Sequence, residues 1–301
     1  MKQLLRDLMV LTKFRINVVG VFTGYTAIAV YNSMHLDDPV PGWQTLLCML
    51  ALLLMGGAAN TWNQIIEKER DGRMERTRNK RPLPSGRMSL RTAWILALVQ
   101  LGGSIGIFAG VFQSPLAVGL TLFTVFYYTV LYTMVLKPRH YLNIVIGGVP
   151  GAMGPLLAWS AVADSIAWEP VALFAIIFLW TPPHFWALAI KLREDYKAAG
   201  IPMLPVVKGV DETTRQIFIY TVIMVIATLL MPVVLPVFIG SFIYIAAAAV
   251  FGAVFTWWAW RIWRERPILN TMPLFHFSIL YIGLLFTGVI CDALIGTSVP
   301  S

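Results

Sequence analysis

The chain has 301 residues, of which 58% are hydrophobic and only 13% charged, with a formal net charge of +8. A soluble domain carries about 25% charged residues, so the deficit and the long apolar runs exclude a water-soluble globule and place the chain among membrane proteins. The two cysteines, Cys48 and Cys291, both sit inside apolar runs, which excludes a disulfide framework and a Cys-based metal centre.

The first apolar run follows Lys2, Arg6, Lys13 and Arg15. It has the outward form of a signal peptide, with Ala27 to Ala29 resembling a cleavage site. Eight further runs make it the first membrane helix instead. A transmembrane helix needs about 20 mostly apolar residues. That length predicts nine spans, at 16–34, 43–63, 92–111, 115–136, 141–163, 168–190, 216–236, 240–260 and 273–295. Residues 1–301 then form a single integral membrane domain.

The loops set the orientation. The N-terminus holds four cations. The loop after span 2 holds Lys68, Arg70, Arg73, Arg76, Arg78, Lys80, Arg81, Arg87 and Arg91. Lys137 and Arg139 follow span 4, and Lys191, Arg193, Lys197, Lys208 and Arg215 follow span 6. Arg261, Arg264 and Arg266 follow span 8. Every one of the 23 Lys and Arg residues thus falls on one side, while the other holds only Asp37, Asp38, Asp164, Glu169 and Asp292. The positive-inside rule makes the basic side cytoplasmic and leaves the C-terminus on the opposite side. One span more or fewer in the middle would scatter the cations over both faces. The charge is therefore a topology signal and not a nucleic-acid-binding surface. It also attracts anionic headgroups of the membrane lipid and anionic substrates.

Two polar clusters stand out. After span 2, Asn63, Glu67 and Asp71 are spaced by four, which puts them on one helical face. Glu69 points about 200° away from Glu67 on the same helix. Three oxygen-bearing side chains at a membrane edge suit a hard cation, and Mg²⁺ binds through one or two carboxylates plus substrate phosphate oxygens. The same residues also fit a solvated helix end with local salt bridges. Arg73, Arg76, Arg78, Lys80 and Arg81 follow at once, and guanidinium groups beside carboxylates suit a metal diphosphate. After span 6, Glu194 and Asp195 lie among Lys191, Arg193 and Lys197 in the matching position four spans later.

Within the spans, the Gly147–Gly151 run fits either close helix packing or a cavity wall. His184, between Pro183 and Phe185, is a polar ring at membrane depth and so a functional candidate. Ligation of an iron and a hydrogen bond replacing those lost at Pro182 and Pro183 both stand open. His276 is a weaker candidate. His35 and His140 fall in loops and point to no chemistry.

These residues resemble the UbiA-type intramembrane prenyltransferases. The mark of that family is an Asn followed by acids at four-residue spacing after helix 2, with a second acidic motif after helix 6. Here Asn63, Glu67, Asp71 and then Glu194, Asp195 match it. The runs Asp71–Thr77, Arg81–Leu83, Asn143–Gly148, Trp180–Trp186 and Asp195–Pro205 are similar to the haem-farnesylating branch, and the resemblance extends from Lys13 to span 9. Three departures are visible. Glu stands at 67 and 69 where the family often has Asp. Ala199 follows Asp195 where quinone-type members carry a second Asp. Phe14 replaces a Pro.

The resemblance implies an all-α polytopic fold. Nine transmembrane helices surround a central cavity, with acidic motifs at the cytoplasmic ends of helices 2 and 6. It implies transfer of a farnesyl group from farnesyl diphosphate to a vinyl group of haem B, giving haem O, with haem as substrate and Mg²⁺ as cofactor. Asn63, Glu67, Asp71 and Asp195 are then the catalytic metal ligands, Glu194 supporting Asp195. Arg73, Arg78, Arg81, Lys137 and Lys191 are phosphate contacts, and Asn143 and His184 contact substrate. Trp186, Phe185 and Tyr132 offer ring faces to the allylic cation. The setting is the inner membrane and haem-copper oxidase assembly, with haem A synthase or oxidase assembly proteins as partners. Three alternatives stay open. A sister enzyme prenylating a quinone precursor keeps the fold and acids. A transporter would carry charges deep in several spans. A haem-binding chaperone would not need the Asn63, Glu67 and Asp71 ladder.

Overall fold

The computed structural model describes residues 2–234, 241–265 and 270–296, with the side chains of Arg76, Val234 and Gly296 left aside. Arg266 and the predicted junction of spans 7 and 8 at residues 235–240 lie outside the described residues.

Among the described residues the chain forms helices and no strands. Nine of the helices are long and apolar enough to cross a membrane. Spans 1 to 5 are Phe14–Met34, Gly42–Arg73, Leu90–Gly110, Pro115–Arg139 and Asn143–Ala163. Spans 6 to 9 are Trp168–Lys191, Gly209–Val233, Phe242–Glu265 and Met272–Ile295. A lipid core offers backbone groups no water, so each segment satisfies them within its own helix. Capping marks several starts. Ser89 Oγ accepts from Thr92 N at 3.0 Å. Ser114 Oγ does the same for Ala117 N, with Pro115 at the first helical position.

Consecutive spans pack as antiparallel neighbours, and span 9 returns to pack on both span 1 and span 6, so the chain closes on itself. Spans 5 and 6 are the most enclosed, with 61% of their apolar windows buried against 22% for span 3. The outer faces carry bare apolar side chains such as Leu98, Val99, Val233 and Phe242, a surface suited to lipid. Spans 1 and 5 meet at glycine: a Cβ on Gly154 would lie 2.5 Å from Gly20 O, so only glycine permits this approach.

Spans 4 and 5 depart from regular α-helix toward the basic end, span 5 being built of three pieces, Asn143–Ile146, Val149–Ala152 and Gly154–Ala163, whereas span 6 stays continuous. Span 6 runs through Pro182 and Pro183 as one helix, with Thr181 Oγ1 donating to Ile177 O at 2.8 Å. Span 4 changes character partway: after Pro115–Phe126 it widens into a π-helix over Tyr127–Leu136.

Candidate active site

Asn63, Glu67 and Asp71 occupy one face at the end of span 2, as their spacing predicts. They are only 1%, 2% and 3% exposed, while Ile66 and Glu69 point outward. Each rung of this ladder has its own cation. Lys13 Nζ donates to Asn63 Oδ1 and to the Tyr128 hydroxyl, both at 3.1 Å. Lys137 Nζ pairs with Glu67 Oε1. Arg81 Nη1 pairs with Asp71 Oδ2 and lies 3.6 Å from Glu67 Oε2.

Three separate pieces of backbone deliver these cations. Lys13 sits at the corner between the surface helix Lys2–Leu11 and span 1, in the left-handed conformation at φ 48°. That region is unfavourable for a residue with a Cβ and persists only when neighbours enforce it. Here Gln64 Nε2 donates to Val10 O and Leu11 O at 2.8 Å each, and Asp7 pairs with Arg87 at 3.0 Å. Leu11 is sealed in a small core with Leu83, Met88 and Ala93. Arg81 arrives on a loop folded back beneath span 2, where Thr77 Oγ1 donates to Asp71 O at 2.8 Å.

Lys137 arrives through the π-helix. At 100° per residue, an α-helix would turn Lys137 about 180° away from Tyr128. Bonding from i to i+5 slows the rotation, and Tyr128, Thr133 and Lys137 all reach the ladder. Thr133 Oγ1 accepts from Asn63 Nδ2 at 3.0 Å and donates to Tyr128 O at 2.7 Å. Tyr132 stacks on Tyr128 at 5.5 Å between centroids. Its ring lies where Gly147 has no Cβ, since one would come within 2.1 Å of Tyr132 Cδ2. Gly147 therefore serves close packing.

Three cations thus face two carboxylates, leaving the cluster at net +1 (Lys13, Lys137 and Arg81 against Glu67 and Asp71). A net positive cluster in low-dielectric surroundings attracts anions. The donor set also suits a hard cation: one amide oxygen and two carboxylates. Glu67 Oε2 is buried and has no hydrogen-bond partner among the described residues, so a carboxylate oxygen stands ready for a ligand. Asn63, Glu67 and Asp71 are the residues able to hold Mg²⁺. Among the described residues no three His, Cys, Asp or Glu side chains gather as a ready-made cage. A metal here would therefore keep phosphate and water ligands, as Mg²⁺ does.

The other predicted residues are placed differently. Asp195 is half-buried on the short helix Arg193–Ala198, and its carboxylate makes no ion pair among the described residues. Glu194, Lys191, Arg73 and Arg78 are exposed and likewise unpaired among the described residues. Asn143 is fully buried, its Nδ2 donating to His140 O at 2.7 Å, while its Oδ1 has no partner among the described residues. Trp186 is fully enclosed, edge-on to Tyr220. His184 is buried and bonds through Nδ1 to Ser278 Oγ at 2.7 Å, so it does not repair the helix at the prolines. His276 is exposed. Sequence reasoning missed Lys13, Tyr128, Thr133 and Ser278 as site residues. A polar residue recurring along an otherwise apolar span was the available signal for Tyr128 and Thr133.

The model of the UbiA prenyltransferase family matches residues 18–282. The chain is 41% identical over 302 residues to the protoheme IX farnesyltransferase of Parvibaculum lavamentivorans, covering 97% of this chain and 90% of that protein. Further relatives at 36–44% identity carry the same name. Two solved structures show the same fold. A digeranylgeranylglyceryl phosphate synthase superposes with a TM-score of 0.77 at 18% identity, over 98% of this chain and 100% of that one. A UbiA homologue from Archaeoglobus fulgidus bound to GPP and Mg²⁺ superposes with a TM-score of 0.66 at 14% identity, over 94% and 99%.

Proposed function

The chain belongs to the UbiA prenyltransferase family and is a multi-pass membrane prenyltransferase, and we propose that it moves the farnesyl group of farnesyl diphosphate onto a vinyl group of haem B, giving haem O. The observation that carries this reading is the likeness, over nearly the whole chain, to proteins named protoheme IX farnesyltransferase. The buried ladder supplies the chemistry.

In this reading Asn63, Glu67 and Asp71 would hold Mg²⁺, which would supply positive charge against the departing diphosphate. Arg81, Lys137 and Lys13 turn from the ladder to the phosphate oxygens, so the charge of the cluster is redistributed and not created. Arg73, Arg78 and Lys191 draw the anion toward the membrane edge, and Asp195 with Glu194 faces a second cation. The C1–O bond of the farnesyl diphosphate breaks with its electron pair leaving on oxygen. The vinyl group supplies the electrons for the new C–C bond. Water then captures the resulting benzylic-type cation and releases a proton, completing the hydroxyethylfarnesyl group. Tyr132, Tyr128 and Phe185 exclude other water from the allylic cation and stabilise it through their ring faces. Asn143, whose buried Oδ1 has no hydrogen-bond partner among the described residues, is the contact to the acceptor.

The basic end faces the cytoplasm in the inner membrane, where both Mg²⁺ and the soluble diphosphate are supplied. Haem-copper oxidase assembly is the consuming pathway, through haem A synthase or oxidase assembly proteins. The test is pigment analysis of membranes expressing wild type or Asp71→Ala, supplied with farnesyl diphosphate and Mg²⁺. Conversion of haem B to a more hydrophobic haem by wild type alone supports the reading. Prenylation of 4-hydroxybenzoate in its place would move the acceptor to a quinone precursor. No transfer to either would end the reading.

A further inference from the structure

The imidazole of His184 is held on every side but one. Trp180 stacks on it at 4.3 Å and 19°, and Phe275 covers the other face at 4.5 Å and 22°. Phe185 meets it edge-on at 4.9 Å. Nδ1 lies 2.7 Å from Ser278 Oγ, and that oxygen lies 2.6 Å from Phe275 O. A serine hydroxyl has one proton, and a carbonyl oxygen only accepts. The proton therefore goes to Phe275 O, and Ser278 Oγ accepts from Nδ1–H. The network assigns the Nδ1–H tautomer and leaves the lone pair on Nε2.

Nε2 makes no hydrogen bond among the described residues. With both ring faces covered and Nδ1 committed, the edge bearing Nε2 is the part of the ring left for a ligand, and His184 as a whole is 7% exposed. A ring so enclosed cannot stack on an incoming planar ligand. It can only donate in its own plane, along the lone pair. Ser278 fixes the arrangement twice over, because its backbone carbonyl also accepts from Trp180 Nε1 at 2.7 Å. One residue of span 9 thus orients two rings of span 6.

We propose that His184 Nε2 is an axial ligand to the iron of the acceptor haem, and that Ser278 is a positioning residue holding the imidazole in its ligating tautomer. This rests on the reading that the acceptor is haem. Metal-ligating histidines donate their other ring N–H to a nearby acceptor, which fixes both tautomer and orientation. His184 lies seven residues before Lys191 on the same helix, about 10 Å along the axis. The iron would sit at membrane depth while the diphosphate is handled at the edge.

The experiment is a titration of the purified full-length protein in detergent with ferric haem B, followed by optical spectroscopy, with iron-free protoporphyrin IX as a second probe. Wild type should show a nitrogen-ligated iron spectrum. His184→Ala should lose that signature, keep its affinity for iron-free protoporphyrin IX, and regain the signature on addition of free imidazole. Ser278→Ala should weaken haem binding about 10- to 100-fold and Ser278→Thr should restore it, with protoporphyrin binding unchanged in both. An iron spectrum unaltered by His184→Ala in an enzyme that still farnesylates haem overturns the ligation and leaves the proposed function standing. Wild type that binds no haem at all removes both. If His184→Ala binds neither porphyrin, the Ser278 pair decides: haem affinity unmoved in Ser278→Ala overturns the proposal.

Discussion

At the basic end of the bundle Glu67 and Asp71 are held by the side chains of Lys137 and Arg81, whereas at the other end Asp164 and Asp292 are held by backbone amides. Asp292 accepts from Ile243 N at 3.3 Å and Tyr244 N at 2.7 Å, in the first turn of span 8. Asp164 accepts from Leu116 N at 3.1 Å and lies 2.6 Å from Ser114 Oγ, at the start of span 4. The residue type is the same and the partners differ. A backbone N–H at a helix start is fixed in place and has no other use. A Lys or Arg head on a flexible stem can leave one anion for another. The first arrangement is architecture, and the second is an exchangeable charge store next to a buried carboxylate oxygen that accepts no hydrogen bond among the described residues.

The contrast is broken most sharply by Asp71→Asn, which keeps shape and removes charge. Farnesyl transfer per folded molecule should fall about 10²–10³-fold, or about 3–4 kcal/mol of transition-state stabilisation. Thermal unfolding should move less than for Lys137→Met, since the freed Arg81 side chain is 13% exposed against 2% for Glu67 and retains Glu67 at 3.6 Å. A variant that melts early yet turns over normally while folded would reassign Asp71 to architecture. Next in size is Lys137→Met. Removing one partner of a buried ion pair destabilises by about 3–5 kcal/mol when the other is stranded. With Arg81 still nearby, about 2–3 kcal/mol is expected here. Because a ligand that binds only the folded state stabilises it, Mg²⁺ should raise the melting temperature of Lys137→Met more than that of wild type. Equal shifts would mean that Lys137 does not share the site with the metal.

Both the span count and the one-sided cations were legible because they are linear properties of the chain: apolar length and the sequence positions of Lys and Arg. The ladder was legible because four-residue spacing maps directly onto one helical face. Lys13 was hidden in plain view, read as one more topology charge, because its role depends on a left-handed corner enforced by Gln64 and the Asp7–Arg87 pair. The π-helix of span 4 leaves no apolar-period signature, so the shared face of Tyr128, Thr133 and Lys137 could not be read from α-helical spacing. Ser278 and His184 are 94 positions apart, and only the packing of span 9 on span 6 joins them. The acids at the other end were visible, but nothing in the sequence separated a carboxylate that caps a helix from one that binds a ligand.

Two smaller effects test that other end. Asp292→Ala removes the acceptor for two amides at the start of span 8 and should destabilise by about 1–2 kcal/mol, the range of a lost helix cap, with turnover per folded molecule unchanged. Ser114→Ala should cost least, about 1 kcal/mol. Its hydroxyl oxygen accepts from Ala117 N at 3.0 Å and lies against Asp164 Oδ1, but Asp164 keeps Leu116 N as a second partner. Because Ser114 and Asp164 serve the same helix start, their effects should not add: Ser114→Ala combined with Asp164→Ala should destabilise by less than the sum of the two alone. Unfolding in detergent measures the coupling, and farnesyl transfer by the same preparations measures function. If Ser114→Ala slowed transfer more than tenfold while leaving unfolding unchanged, the carboxylates of this end would belong with the reaction after all, and the division between exchangeable and fixed anions would fail.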